Sequence, residues 1–149
     1  MWHEERLLID GELRDALGGS TYENVNPATE NVIGISADAD AGDFDAAVQA
    51  ARAAFDKGEW STNLDFRLGC LEQLHEALTS HVDELTEITI AEVGATRMAC
   101  STIQVQEPLK FLPFYGEVAR DYAWRTDLGV AETLGGECFR WFEKEPVGV

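Results

Sequence analysis

The stretch Asp45-Ala46-Ala47-Val48-Gln49-Ala50-Ala51-Arg52-Ala53-Ala54-Phe55 decides the fold. With Phe44 before it, the apolar residues Phe44, Val48, Ala51 and Phe55 recur at helical spacing and form one stripe. Asp43 is the expected N-cap, because a carboxylate there accepts free backbone N–H groups and complements the helix dipole. Lys57 and Gly58 are the stop signal, a cation in the last turn followed by a residue that accepts the left-handed conformation.

Working outward, the upstream chain reads as short strands. Leu7-Leu8-Ile9 runs into Asp10-Gly11, a pair suited to a tight hairpin turn, and Glu12-Leu13 begins the return. Gly18-Gly19-Ser20 is a loop, Thr21 to Val25 a strand, Asn26 to Asn31 a turn, and Val32-Ile33-Gly34-Ile35 the next strand. A small antiparallel sheet is expected, followed by an acidic loop from Asp38 to Gly42. Downstream, Leu68, Leu71, Leu74 and Leu78 stripe a second helix beginning near Asp65. Ser80 and Asp83 form a capping box for a third helix, with Val82, Leu85 and Ile88 on one face and Gly94 at its C-terminus. A longer stretch from Arg97 to Tyr122 is interrupted by Pro108 and Pro113, which predicts a kink or a restart near Glu107. Thr126 to Glu137 reads as Gly-rich and irregular, and Cys138 to Glu143 alternates like a strand. The chain closes on apolar, β-prone residues, which leads to the expectation that the polypeptide was cut there.

The 149 residues carry 28 carboxylates against 11 Lys and Arg, a formal charge of −17. That balance argues against nucleic acid or an anionic membrane as partner, since both require a basic face. It also suits a salt-adapted protein. No apolar run approaches the ~20 residues of a membrane-spanning helix. Met1 to Arg6 lacks the basic and apolar regions of a signal peptide. Cys70, Cys100 and Cys138 are odd in number and widely spaced, so they read as reduced thiols in a cytoplasmic protein.

Motifs for chemistry are sparse. His75-Glu76 opens like a helical zinc motif, but His81 lies about 600° of helix rotation from His75, on a different face. No sequence neighbour of Cys100 or Cys138 favours a thiolate. There is no Gly-x-Gly-x-x-Gly after a strand and no Walker loop, and Gly18-Gly19 and Gly135-Gly136 read as loop glycines.

Five segments together resemble the N-terminal portion of the NAD(P)-dependent aldehyde dehydrogenase superfamily. They are Leu8-Ile9-Asp10-Gly11-Glu12-Leu13-Arg14; Tyr22 to Val32 with Asn26-Pro27-Ala28-Thr29; Asp45 to Phe55; Trp60, Arg67 and Leu71 to Gly94; and Glu145-Pro146-Val147-Gly148-Val149. The second departs from the family's Asn-Pro-Ala-Thr-Gly pattern, because Asn31 follows Glu30 and the usual Gly is missing. The resemblance implies an α/β fold: the N-terminal β-hairpins and helices of the aldehyde dehydrogenase cofactor-binding domain, truncated before most of the parallel sheet. It divides the chain into that N-terminal part at 1–125, a loop and oligomerisation strand at 126–145, and the start of the first dinucleotide-binding strand at 146–149.

The implied activity is oxidation of an aldehyde to a carboxylic acid. In that family a cysteine attacks the aldehyde, hydride passes to the nicotinamide of NAD or NADP, and a glutamate activates water to hydrolyse the thioester. Those groups lie beyond the position matching Val149, and none of the three cysteines matches the nucleophile. The resemblance therefore assigns no catalytic and no cofactor-binding residue here, and the chain alone is expected to be inactive and to bind no cofactor. Three lesser roles carry over. The carbonyl of Thr29 and the acid of Glu92 match a monovalent-cation site, against the plainer reading of a turn residue and a solvated acid. Ile103 and Glu107 match substrate-tunnel positions. Phe139 to Glu143 matches a strand that pairs between subunits, implying a homo-oligomer, dimer or tetramer. The alternative from another class is a stand-alone acidic, non-catalytic interaction module. An independent NAD-binding protein is a weaker third reading, because no phosphate loop exists.

Overall fold

The computed structural model describes residues 2–147. The chain opens with β1 (Trp2–Glu4), β2 (Arg6–Ile9), β3 (Glu12–Asp15), β4 (Thr21–Val25) and β5 (Val32–Ala37). β2 and β3 form the expected hairpin, Ile9 pairing with Glu12 across Asp10-Gly11. Both turn residues have positive φ, 57° and 75°, the twist a two-residue hairpin loop requires. The single antiparallel sheet expected upstream is instead two sheets. The β2–β3 pair stands apart, and β1 adds in parallel to the antiparallel β4–β5 pair, giving the order β1-β5-β4. Three residues are too few for periodicity to reveal β1, and its partner strand lies 32 residues away.

In the Asn26 to Asn31 turn, Asn26 Oδ1 accepts from the N–H groups of Ala28 (2.8 Å) and Thr29 (3.1 Å). Glu30 stands at φ 60°, a left-handed position that glycine adopts without cost. The departure from the family's pattern is thus a point of backbone strain.

α1 (Ala41–Lys57), α2 (Leu64–Ser80) and α3 (Val82–Val93) follow. Asp43 is not the N-cap of α1. Asp40 is, accepting from the N–H groups of Gly42 and Asp43, while Asp43 closes a capping box by accepting from the Asp40 N–H. Asp43 is 2% exposed because its carboxylate also takes the Leu17 N–H on both oxygens, at 3.1 and 3.2 Å, tying the β3–β4 loop to the helix. Gly58 ends α1, but with extended backbone (φ −88°, ψ 175°). Glycine is needed there for space: an added Cβ would lie 2.5 Å from the Ala54 carbonyl oxygen. The Ser80–Asp83 capping box does not form. Ser80 is still helical and its hydroxyl donates back to the Ala77 carbonyl, so His81 stands at the N-cap of α3 and gives it no side-chain cap. Gly94 ends α3 at φ 67°, as expected.

The stretch from Arg97 restarts as anticipated. A short turn α4 (Arg97–Ala99) runs into a π-helical segment, Cys100–Gln104, closed by the Val105 N–H on the Cys100 carbonyl (3.2 Å). α5 (Gln106–Asp121) then begins, with Pro108 in its first turn, where no backbone donor is missed, and Pro113 within it. The irregular loop expected at Thr126 to Glu137 is a correction. β6 (Arg125–Thr133) and β7 (Gly136–Glu143) form an antiparallel hairpin around a Leu134-Gly135 turn. A bulge between Asp127 and Gly129, with Gly129 at φ 74°, breaks the alternation in β6 and hid the strand. Pro146 and Val147 are in no strand, and Gly148 and Val149, at the expected strand start, lie outside the described residues.

The core is small: Ile9, Ala16, Leu68, Cys100 and Val105 are the buried apolar residues among those described. Its centre is the α2–α5 crossing, where Gly116 lets α5 approach the Leu68 side chain. The α1 stripe is not in it. Phe44 is 68% exposed and Val48 48%, and only Phe55, at the α1–α2 junction, is half-buried. The chain exposes 10949 Å², whereas a compact monomer of its mass exposes about 7,500 Å².

Candidate functional site

Glu92 sits near the C-terminus of α3 and is exposed. Its carboxylate borders an open cleft whose other wall is the β4–β5 sheet, lined by Tyr22, Asn24, Val25, Ile33 and Ser36. Within it Asn24 Nδ2 donates to Ser36 Oγ at 2.8 Å. The turn carrying Thr29 reaches the same end of α3. A Cβ added to Gly94 would stand 2.9 Å from Pro27 Cγ and 3.8 Å from the Ala28 backbone nitrogen. Gly94 thus serves twice, supplying the left-handed cap and leaving room for the turn. The fold brings together the two segments that bear Thr29 and Glu92, more than sixty residues apart in sequence. Tyr22, Asn24 and Ser36 went unnoticed in the sequence; the signal was the alternation that puts Tyr22 and Asn24 on one face of β4.

The cleft is lined by one carboxylate with hydroxyl and amide groups and carries no positive charge for a pyrophosphate. Nothing in this cleft fits a dinucleotide. Among the described residues no three His, Cys, Asp or Glu side chains gather as a metal-binding group, and His75 and His81 do not converge. His81 Nδ1 lies 3.2 Å from Glu84 Oε2 instead.

Ile103 lies in the π-helical segment and is 71% exposed. Glu107, half-buried in the first turn of α5, is paired with Lys110 Nζ. A carboxylate at a helix N-terminus complements the dipole, so this position has a local structural reason as well. Cys100 is wholly buried and its thiol donates to Gln104 Oε1 at 3.6 Å, so a substrate carbonyl cannot reach it. Cys70 and Cys138 are half-buried and free.

A second cluster lies where α1 ends, α2 begins and β7 runs out. Arg67 Nη1 donates to the Trp60 carbonyl (2.6 Å), and its guanidinium stands 5.9 Å from the Trp124 ring centre. Trp124 Nε1 donates to the Ala119 carbonyl (3.0 Å), and its own carbonyl accepts from the Lys144 N–H (2.8 Å). Arg67 therefore ties the α1–α2 junction to the distant segment between α5 and β6.

The sequence profile of the Aldehyde dehydrogenase family matches residues 14–149. The aminoacetaldehyde dehydrogenase of Pseudomonas aeruginosa is 32% identical over 146 residues, covering 97% of this chain and 28% of its own length. The mitochondrial aldehyde dehydrogenase of Sus scrofa is 31% identical, covering 97% and 27%. Among solved structures, the Mycobacterium tuberculosis aldehyde dehydrogenase complexed with NAD+ superposes with a TM-score of 0.79 at 26% identity, over 91% of this chain and 28% of that one. The chain belongs to the aldehyde dehydrogenase family. It spans a little over a quarter of the length of the relatives it matches.

Proposed function

We propose that this chain is the N-terminal part of an NAD(P)-dependent aldehyde dehydrogenase that oxidises an aldehyde to a carboxylic acid, and that this stretch alone is inactive. One observation carries the reading: a member of the family a little over a quarter as long as its relatives presents large apolar side chains on α1, α5 and β7 to solvent. Phe44, Phe114, Tyr115, Phe139 and Trp141 are each at least half exposed, which is what a surface meant to be covered looks like. NAD(P), when bound by the whole enzyme, supplies the hydride acceptor. The residues of this chain contribute scaffolding: the Asn26 turn, the capped α1 and the Arg67 junction hold the faces on which a parallel sheet would lie.

In this reading the Thr29 carbonyl and Glu92 hold a monovalent cation, supported by the packing of the Pro27-Ala28 turn on Gly94. Ile103 and Glu107 border the substrate tunnel, supported by the exposure of Ile103. The strand Phe139 to Glu143, within β7, joins subunits into a homo-oligomer, supported by its exposed aromatics. Three free thiols suit the reducing cytoplasm. No described helix is long and apolar enough to cross a membrane, and the −17 charge disfavours nucleic acid.

The test is to assay the 149-residue chain and the protein expressed from its native reading frame side by side, following NAD(P)H formation with a panel of aldehydes. Turnover by the longer protein only is expected. Turnover by the 149 residues alone, or a reading frame that stops after codon 149, overturns the proposal.

A further inference from the structure

We propose that the folded state of this protein is stabilised by molar salt, because its secondary structure forces unpaired carboxylates together. Charge sets the sign. Seven of the 28 carboxylates take part in ion pairs among the described residues, and one of those partners is a histidine. Lys57, Lys110 and Lys144 are the only lysines in the sequence. Cations are too few to neutralise the rest, so self-repulsion outweighs pairing.

Position makes that repulsion a property of the fold and not of composition alone. Glu132 and Glu137 are direct cross-strand partners in β6–β7, both exposed and neither in an ion pair. Like charges directly opposite destabilise a strand pair. Glu72 and Glu76 are one turn apart on α2, and neither is in an ion pair among the described residues. Side chains four apart on a helix lie about 5–6 Å apart at Cβ and repel when alike. The cation on the facing helix near Glu72, Arg120, is engaged by Glu117, leaving Glu72 and Glu76 uncompensated. Unfolding releases both pairs.

Screening decides how much salt is needed. The Debye length is about 10 Å at 0.1 M, longer than these separations, and about 3 Å at 1 M, shorter than them. Physiological salt therefore leaves most of the repulsion in place, and molar salt removes it. A protein held by surface ion pairs responds in the opposite direction.

The experiment uses the protein expressed from its native reading frame. Its thermal midpoint is measured from about 0.1 M to about 3 M KCl, and amide exchange of residues 125–143 is followed at both ends of that range. The midpoint is expected to rise by about 5 °C or more, with slower exchange in the hairpin at high salt. In the E132Q/E137Q variant the hairpin amides are expected to be protected already at low salt and to lose their salt response. The E72Q/E76Q variant is expected to raise the midpoint at low salt and flatten its slope. A midpoint that is flat or falls with KCl overturns the proposal. So does an equal response to sucrose, which acts by exclusion and not by screening. Hairpin exchange that keeps its salt response in E132Q/E137Q overturns it as well.

Discussion

The α2–α5 crossing and the β6–β7 hairpin are made of equally apolar sequence but stand in opposite environments. At the crossing, Leu68 is buried against Gly116, and the π-helical turn carries Cys100 and Val105 inward. In the hairpin no residue is buried, although it holds Leu128, Val130, Phe139, Trp141 and Phe142. An isolated two-stranded hairpin is at best marginally stable in water. The difference separates what this chain stabilises by itself from what it offers to another surface.

Five substitutions sharpen or break that contrast, largest first. Leu68→Ala should cost about 2–5 kcal/mol in urea unfolding, the range for emptying a packed site; a loss below that would place the crossing with the hairpin. Asp43→Ala strands the N–H groups of Leu17 and Asp40 and should cost about 1–3 kcal/mol, with faster amide exchange at Leu17. Glu30→Gly should stabilise by up to about 1 kcal/mol, since it relieves the φ 60° backbone. The gain is limited because glycine also loosens the unfolded chain. Phe139→Ser should alter unfolding by no more than about 0.5 kcal/mol yet lower the mass seen in analytical ultracentrifugation. A large stability loss with unchanged mass would mean that the hairpin is folded inward.

Glu87→Gln should have the smallest effect, and one confined by pH. The Arg97 guanidinium, held in a two-pronged bond, keeps the Glu87 carboxyl below its ordinary value. A depressed folded-state pKa stabilises above the unfolded pKa and is lost as pH falls through the folded one. Wild type and variant should therefore differ at neutral pH and converge in acid. A difference that persists there would show that Gln at this position acts through packing.

Local patterns were legible wherever one short-range rule dominated. Asp10-Gly11 announced its hairpin, the stripe before Lys57 its helix, and Gly94 its left-handed cap. The rule failed where two signals competed. Asp40 and Asp43 are both good caps, and only the Leu17 N–H, twenty-six residues away, draws Asp43 inward. Ser80 has the hydroxyl of a cap but spends it on the turn behind it. Thr126 to Glu137 looked irregular because the bulge at Gly129 shifts the alternation by one residue. For the candidate site, Thr29 and Glu92 were named through resemblance, while Tyr22, Asn24 and Ser36 were invisible until the sheet was laid beside α3.

By itself the sequence determined the long helices, the Asp10-Gly11 hairpin turn, the charge and the family, because each depends on neighbours within a few residues or on the order of segments. Tertiary structure alone decided which apolar residues are covered. Periodicity marks a face as greasy but does not say whether this chain holds anything to lay against it. Leu68 finds Gly116 within the same polypeptide, and Phe44, on an equally regular stripe, finds water.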